Sequence, residues 1–222
     1  MIPKISVGIS VYNERATIVN AIMSVRRADE IIIIDGKYPQ IEGSLYSTDG
    51  TEEEVKSAID AAVIPGEKIR YIKYSAEEED KRSKYLTLAT SDSLLVLDGD
   101  ELFRSSWSDF EYLNAVIDEY WCLLCEMRQC VPLFAMAEVP RVINLKTADH
   151  YSKWNQIEYK RMPPQVAFLP VVIQHCWTKG GNMKRRRQQT ELYQKYKKYE
   201  QGPDRRKEFF SQVPVMEVKR NG

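Results

Sequence analysis

Two aspartates separated by one glycine, Asp98-Gly99-Asp100, follow directly on the apolar run Leu94-Leu95-Val96-Leu97. In an extended segment, residues two apart project from the same side. The two carboxylates can therefore hold one hard divalent cation together, or one can take the cation while the other takes a ligand hydroxyl. Mg2+ and Mn2+ favour oxygen ligands and commonly bridge to substrate phosphates. Gly99 lets backbone and ligand approach closely. Asp-Gly-Asp is also a common polar turn; its place directly after a buried strand is what raises it above one.

Other groups with chemistry are few. His150 and His175 are the only histidines. His175 ends the apolar run Val171-Val172-Ile173-Gln174, although a lone histidine is more often a hydrogen-bonded core residue. Cys122 and Cys125 form a C-x-x-C inside an apolar run without turn residues, with Cys130 and Cys176 unpaired in spacing. A zinc ribbon needs a tight turn there and a second such pair, so the cysteines read as buried reduced thiols of a cytoplasmic protein. The segment after the first apolar run, Val11-Tyr12-Asn13-Glu14-Arg15, is neither G-x-G-x-x-G nor G-x-x-x-x-G-K-[ST]. Dinucleotide binding and a P-loop both lose support.

These residues must be positioned by an alternating fold. Residues 4–12 alternate and are rich in Ile and Val, which predicts a strand. Ile18, Ala21, Ile22 and Val25 recur at helical spacing. The four isoleucines at 31–34 read as a strand buried on both faces. Ser47-Thr48-Asp49-Gly50-Thr51 predicts a turn, with Thr51 and Glu54 fitting a capping box for a helix over 52–63. Pro65-Gly66 ends that helix, a strand follows over 68–74, a charged helix over 77–89 and a fourth strand over 93–97. Strand, helix, strand, helix, strand, helix, strand is a parallel α/β half-domain. Such sheets bind ligands at the carboxyl ends of their strands, where Val11 to Glu14, Asp35-Gly36 and Asp98 to Glu101 fall.

The later chain is less regular. Strands are expected over 121–127 and 131–139, antiparallel to one another, and over 165–174 with a break at Pro170. A basic helix carrying Tyr193, Tyr196 and Tyr199 is expected over 183–200, and the last dozen residues show no clear period. Three segments result: 1–104, 105–181 and 182–222.

The 222 residues carry 32 Lys+Arg and 32 Asp+Glu, with 43% hydrophobic residues. That suits one globular domain, or one domain with an appendage, and excludes disorder. The zero conceals a division, because residues 1–120 hold 23 acids and 13 bases and residues 121–222 hold 9 and 19. An overall zero argues against a general nucleic-acid binder. The division suggests one half built for cations and one for anions. No apolar run approaches the length of a membrane span, and residues 1–4 do not open a signal peptide.

Ile5 to Glu14, Ile31 to Asp35, Ser47 to Thr51 and Leu94 to Glu101, in this order and spacing, resemble family 2 of the glycosyltransferases. The resemblance covers residues 4–104 and thins beyond. It implies the GT-A fold of nucleotide-diphospho-sugar transferases, a Rossmann-like mostly parallel sheet with flanking helices, here followed by the basic helix. It also implies that Val11, Asn13 and Glu14 line a nucleotide pocket and that Asp35 contacts base or ribose. Asp98 with Gly99 would meet the ribose or sugar, and Asp100 would bind Mn2+ or Mg2+. The family places a basic residue near the base, for which Lys81 and Arg82 are the candidates. A late histidine completes the metal shell in many GT-A enzymes, and His175 has that place. A basic stretch then covers the diphosphate, as Lys179 and Arg185 would. Two departures stand out: the family writes its second motif as D-D-G-S-x-D-x-T in one piece, whereas Lys37 to Tyr46 intervene here, and a Pro near the first Asn-Glu is absent.

The implied reaction moves a sugar from a nucleoside-diphosphate sugar to a glycan, lipid-linked or small-molecule acceptor, with inversion. Inversion needs a carboxylate base on the acceptor side, and Asp149 and Glu158 are the candidates, near Trp154. Two rivals remain. A nucleotidyltransferase would carry a Gly-rich basic loop after strand one. A non-catalytic protein would use the basic C-terminus for RNA or an anionic membrane surface; the 11 bases and 3 acids of residues 179–207 also suit a peripheral membrane contact by an enzyme.

Overall fold

Alternation in β1 (Ile5–Val11) divides a sheet into two differently built faces. The structure is a computed structural model that describes residues 4–104, 122–129, 137–152, 156–160, 166–175 and 215–217. Ile5, Val7, Ile9 and Val11 enter one core with Ile18 and Ile22 of α1 (Ile18–Ser24) and Val55 and Ala58 of α2 (Thr51–Asp60). The opposite face of β1 presents only Ser6, Gly8 and Ser10. A Cβ on Gly8 would lie 2.7 Å from the Tyr85 ring. The small residues thus let α3 (Glu78–Leu88) lay its buried tyrosine flat on the strand. In β2 (Glu30–Asp35) the four isoleucines divide likewise, Ile31 and Ile33 to the first core, Ile32 and Ile34 to the second with Tyr85, Leu94 and Val96.

β1, β2, β3 (Ile69–Lys73) and β4 (Ser93–Asp98) pair in parallel, in the spatial order β4-β1-β2-β3. β1 therefore has β2 on one side and β4 on the other, and the helices that follow β1 and β3 pass over opposite faces of the sheet. The junction of β1 and β4 is a topological switch point, where the loops diverge and leave a crevice. The sheet continues through β7 (Ala137–Asn144), β6 (Cys122–Gln129), β10 (Val166–His175) and β11 (Val215–Glu217). β7 runs antiparallel to both β4 and β6, and β5 (Glu101–Phe103) pairs antiparallel with the end of β10. β8 (Ala148–Ser152) and β9 (Gln156–Tyr159) form a separate antiparallel pair. The result is a mixed, mostly parallel α/β sheet flanked by helices.

Several local expectations are corrected. No capping box forms at Thr51: the helix starts at Thr51 itself, after Gly50 in the left-handed region at φ 94°. Its first turn holds Glu52, Glu53 and Glu54, where the helix dipole favours negative charge. α2 ends at Asp60, before the expected 63. The strand expected over 131–139 is found at 137–144 and carries Pro140 within it, at a shift of the β6–β7 register. β10 keeps its strand through Pro170 by a register shift between Leu169 and Val172. Residues 215–217, read as irregular, pair with Val166 to Phe168. The β8–β9 hairpin was not foreseen. The basic helix over 183–200 lies outside the described residues.

Candidate active site at the switch point

The Asp98-Gly99-Asp100 turn connects β4 to β5 and is pressed onto the end of β1. The Gly99 N–H donates to the Ser10 carbonyl at 2.8 Å. A Cβ on Gly99 would meet Val11 Cγ1 at 2.8 Å and Glu14 Cγ at 3.0 Å. The glycine is needed against the protein's own first strand, a closer constraint than the ligand approach read from the sequence. Asp98 keeps 32% of its side chain exposed at the crevice, and Asp100 follows at 9% exposure.

The start of α3 supplies cations to this end of the sheet. Arg82 Nη2 lies 3.1 Å from Asp98 Oδ1 and is also paired with Glu78. Burial disfavours the Arg82 charge, but Asp98 and Glu78 outweigh it and hold the guanidinium protonated. Lys81, fully buried, donates from Nζ to the Gly36 carbonyl at 2.6 Å and the Val11 carbonyl at 3.2 Å. Its ammonium also lies 5.1 Å from the centroid of the Tyr38 ring. Lys81 thus ties the ends of β1 and β2 together, while Arg82 faces the Asp98 carboxylate.

Asp35 is 1% exposed. Its carboxylate accepts the Ser47 hydroxyl at 2.7 Å and the Ser47 N–H at 3.1 Å. The same hydroxyl accepts the Asn13 N–H at 2.8 Å, and Asn13 Oδ1 accepts the Thr48 N–H at 2.9 Å. Asn13 stands in the left-handed region at φ 57°, which asparagine tolerates better than most residues. That turn aims its amide at the second motif. The Glu14 N–H donates to Thr51 Oγ1 at 2.9 Å, and Thr51 Oγ1 donates to Asp49 Oδ1 at 2.5 Å. The segment between Asp35 and Ser47 therefore loops out, and the two parts of the split motif meet again in space.

That loop returns Tyr38 to the crevice, with its hydroxyl 3.5 Å from Ser10 Oγ. Burial, then the Glu78 carboxylate, push this phenol well above its ordinary range. Sequence reasoning missed Tyr38, Ser10 and Ser47; only the motif membership of Ser47 hinted at a role. It placed Glu101 at the strand end but gave it no role; this residue is 1% exposed. Glu101 accepts the Asp98 N–H at Oε2 and Arg141 Nη2 at Oε1, both at 2.8 Å. Burial pushes the Glu101 carboxyl upward, with the Arg141 charge opposing it.

Among the sequence candidates, Val11, Asn13, Glu14, Asp35, Lys81, Arg82, Asp98, Gly99 and Asp100 converge at this end of the sheet. The β5–β10 register places His175 opposite Glu101, one residue from Asp100. Asp149 is exposed on β8, its Oδ2 3.0 Å from His150 Nδ1, and Glu158 lies opposite His150 on β9. This hairpin is clasped to α3: Ser83 Oγ accepts the Tyr151 N–H at 2.8 Å. Ser83 is the neighbour of Arg82, so one helix serves both places. Lys179, Arg185 and Trp154 lie outside the described residues. No group of three or more metal-ligating side chains occurs among the described residues. The strand ends at Asp98, and Gly99-Asp100 turn away from it, so the same-side placement expected of an extended segment does not apply. Both side chains still carry the hard oxygen atoms that Mg2+ and Mn2+ favour, with Asp98 Oδ1 also facing Arg82.

Residues 6–109 match the family described as Glycosyl transferase family 2. No curated protein matches the chain. Among solved structures, residues 1–349 of S. aureus TarS in complex with UDP-GlcNAc share 15% identity at a TM-score of 0.53, over 82% of this chain and 60% of that one. The mannosyltransferase PcManGT from Pyrobaculum calidifontis in complex with GDP-Man and Mn2+ is 18% identical at a TM-score of 0.46, over 58% of this chain and 36% of that one. The chain spans less than two thirds of the length of these structures. The first likeness shows a shared fold.

Proposed function

We propose that this chain, with its glycosyl transferase family 2 domain over residues 6–109, transfers a sugar from a nucleoside-diphosphate sugar to an acceptor hydroxyl. The observation that carries the reading is the Asp98-Gly99-Asp100 turn at the β1–β4 switch point, faced by the end of β1 and by Arg82. The fold is read as GT-A. Val11, Asn13, Glu14 and the rejoined Asp35–Ser47 motif form the nucleotide side of the crevice. Arg82 orients Asp98, and Lys81 holds the strand ends on which both depend.

Asp100, with His175, would hold Mn2+ or Mg2+, which when bound neutralises charge developing on the leaving diphosphate, and Asp98 with Gly99 would meet the ribose or sugar. Lys179 and Arg185 are proposed to cover that diphosphate. Transfer is read as inverting, so the acceptor hydroxyl loses its proton to a carboxylate across the sugar, for which Asp149 and Glu158 are proposed. Their hairpin is fixed to the helix that bears Arg82, which supports a place beside the donor. The acceptor is a glycan, a lipid-linked or a small molecule; nucleic acid is not proposed. A peripheral contact of the basic C-terminus with an anionic membrane would suit a lipid-linked acceptor. No helix among the described residues is long and apolar enough to cross a membrane.

The test is a thermal-shift screen of nucleoside diphosphates and their sugars with Mn2+, followed by release of free nucleoside diphosphate. Stabilisation by at least one nucleotide is expected, with turnover abolished in Asp100→Ala. Absence of any stabilisation, or release of pyrophosphate in place of the diphosphate, would overturn the reading.

A further inference from the structure

Glu101 has no part in the transfer as proposed, yet it is among the most enclosed charged groups described, at 1% exposure. Its two oxygens have separate tasks. Oε2 accepts the N–H of Asp98, the residue at which β4 leaves the sheet, and Oε1 accepts Arg141 Nη2, both at 2.8 Å. Arg141 Nη1 reaches the Val96 carbonyl of β4 at 3.3 Å. Both Glu101 and Arg141 therefore bind the backbone of β4 on the approach to the Asp-x-Asp turn. On the other side, β5 is paired to β10 with Glu101 opposite His175.

Stability alone does not account for such a pair. Enclosing two charges costs solvation that their attraction barely returns, and apolar replacements of similar size are often as stable. An apolar pair, however, offers no acceptor to the Asp98 N–H. Without one, the turn keeps its tie to β1 through the Gly99 N–H and the Ser10 carbonyl but loses the bond that holds the Asp98 N–H from the β5 side, and with it one constraint on the aim of Asp98 and Asp100.

We propose that Glu101 and Arg141 are a positioning pair that sets the orientation of Asp98 and Asp100 toward the donor and the cation. This rests on the reading of the site given above. It also makes the donor site depend on β7, which lies outside the segment that matches the family. Partners standing behind metal ligands typically change affinity on the order of 10-fold to 100-fold when removed, and that is the effect expected here.

The experiment compares the full chain with the double variant Glu101→Leu/Arg141→Met. Free Mn2+ is followed by electron paramagnetic resonance in titrations with Mn2+ alone and with UDP or GDP, beside thermal melting without ligand. The double variant is expected to melt near the wild type but to bind Mn2+ with nucleotide about tenfold or more weakly. Equal affinity in the two proteins overturns the positioning role and leaves the proposed function standing. A wild type that responds to neither Mn2+ nor nucleotide overturns both. Should the double variant not fold, Glu101→Gln is set against Glu101→Met. Both remove the negative charge beside Arg141, but only the glutamine keeps an acceptor for the Asp98 N–H. The glutamine variant must bind Mn2+ with nucleotide at least about tenfold more tightly than the methionine variant; equal binding overturns the proposal.

Discussion

Ser47 illustrates how much one hydroxyl can organise. It donates to Asp35 and accepts from the Asn13 N–H, so it joins the ends of the first two strands across a ten-residue detour. Replacing it by alanine leaves the Asn13 N–H without that acceptor and deprives a carboxylate of 1% exposure of one of its donors. Losing a partner from enclosed polar groups costs about 1–3 kcal/mol. Ser47→Ala is therefore expected to lower the unfolding free energy by about that amount in urea titration, and to weaken nucleotide-dependent stabilisation beyond what the loss of stability accounts for. A variant with wild-type stability would show that the Asp35–Ser47 bond is dispensable. The Arg82–Asp98 pair works on the same scale: the guanidinium stays charged because two carboxylates outweigh its burial, so Asp98 always faces a cation.

At the scale of elements, the seat of α3 on β1 decides where the cations stand. Tyr85 fits only because residue 8 has no side chain, and one turn earlier the same helix presents Lys81 and Arg82. Gly8→Ala places a methyl group 2.7–2.9 Å from three ring carbons, a contact that must be relieved by moving the ring or the strand. Overpacking of this kind costs about 1–3 kcal/mol, readable as a lower midpoint of denaturation. Because a displaced α3 also carries Arg82 away from Asp98, the donor KM is expected to rise as well. Trimming the ring in Gly8→Ala/Tyr85→Leu should recover part of both losses, a coupling a double-mutant cycle measures. Additive losses would mean that the strand, and not the tyrosine, absorbs the added methyl.

Across the whole sequence, the 10 excess acids of residues 1–120 are balanced by the 10 excess bases of residues 121–222. The proposed cation ligand Asp100 and the proposed sugar contact Asp98 belong to the first part, and His175 and the proposed diphosphate cover, Lys179 and Arg185, to the second. If the cation joins the donor to the first part, chelation with EDTA should abolish the rise in melting temperature produced by a nucleoside diphosphate, and Mn2+ should restore it. Full nucleotide stabilisation in EDTA would remove the metal from donor binding. Charges that take no part in the site occur among the described residues as well, as where exposed Lys56 pairs with half-buried Glu52 on α2.

Local pattern was enough for the parallel half, because alternation in β1, the isoleucine run of β2 and the helical spacing of residues 18–25 each report burial within a few residues of chain. The Asp-x-Asp turn was legible for the same reason: it follows an apolar run at the end of a strand. Pairings made across long stretches of chain leave no such mark. Nothing near Arg141 announces that it will meet Glu101, nor does the interval from Asp35 to Ser47 announce that it closes on itself. Those contacts depend on which strands become neighbours, and that is chosen by the packing of the two cores as a whole. Periodicity records which face of an element is buried; only the assembled sheet specifies what it is buried against, and here that choice completes the proposed donor site.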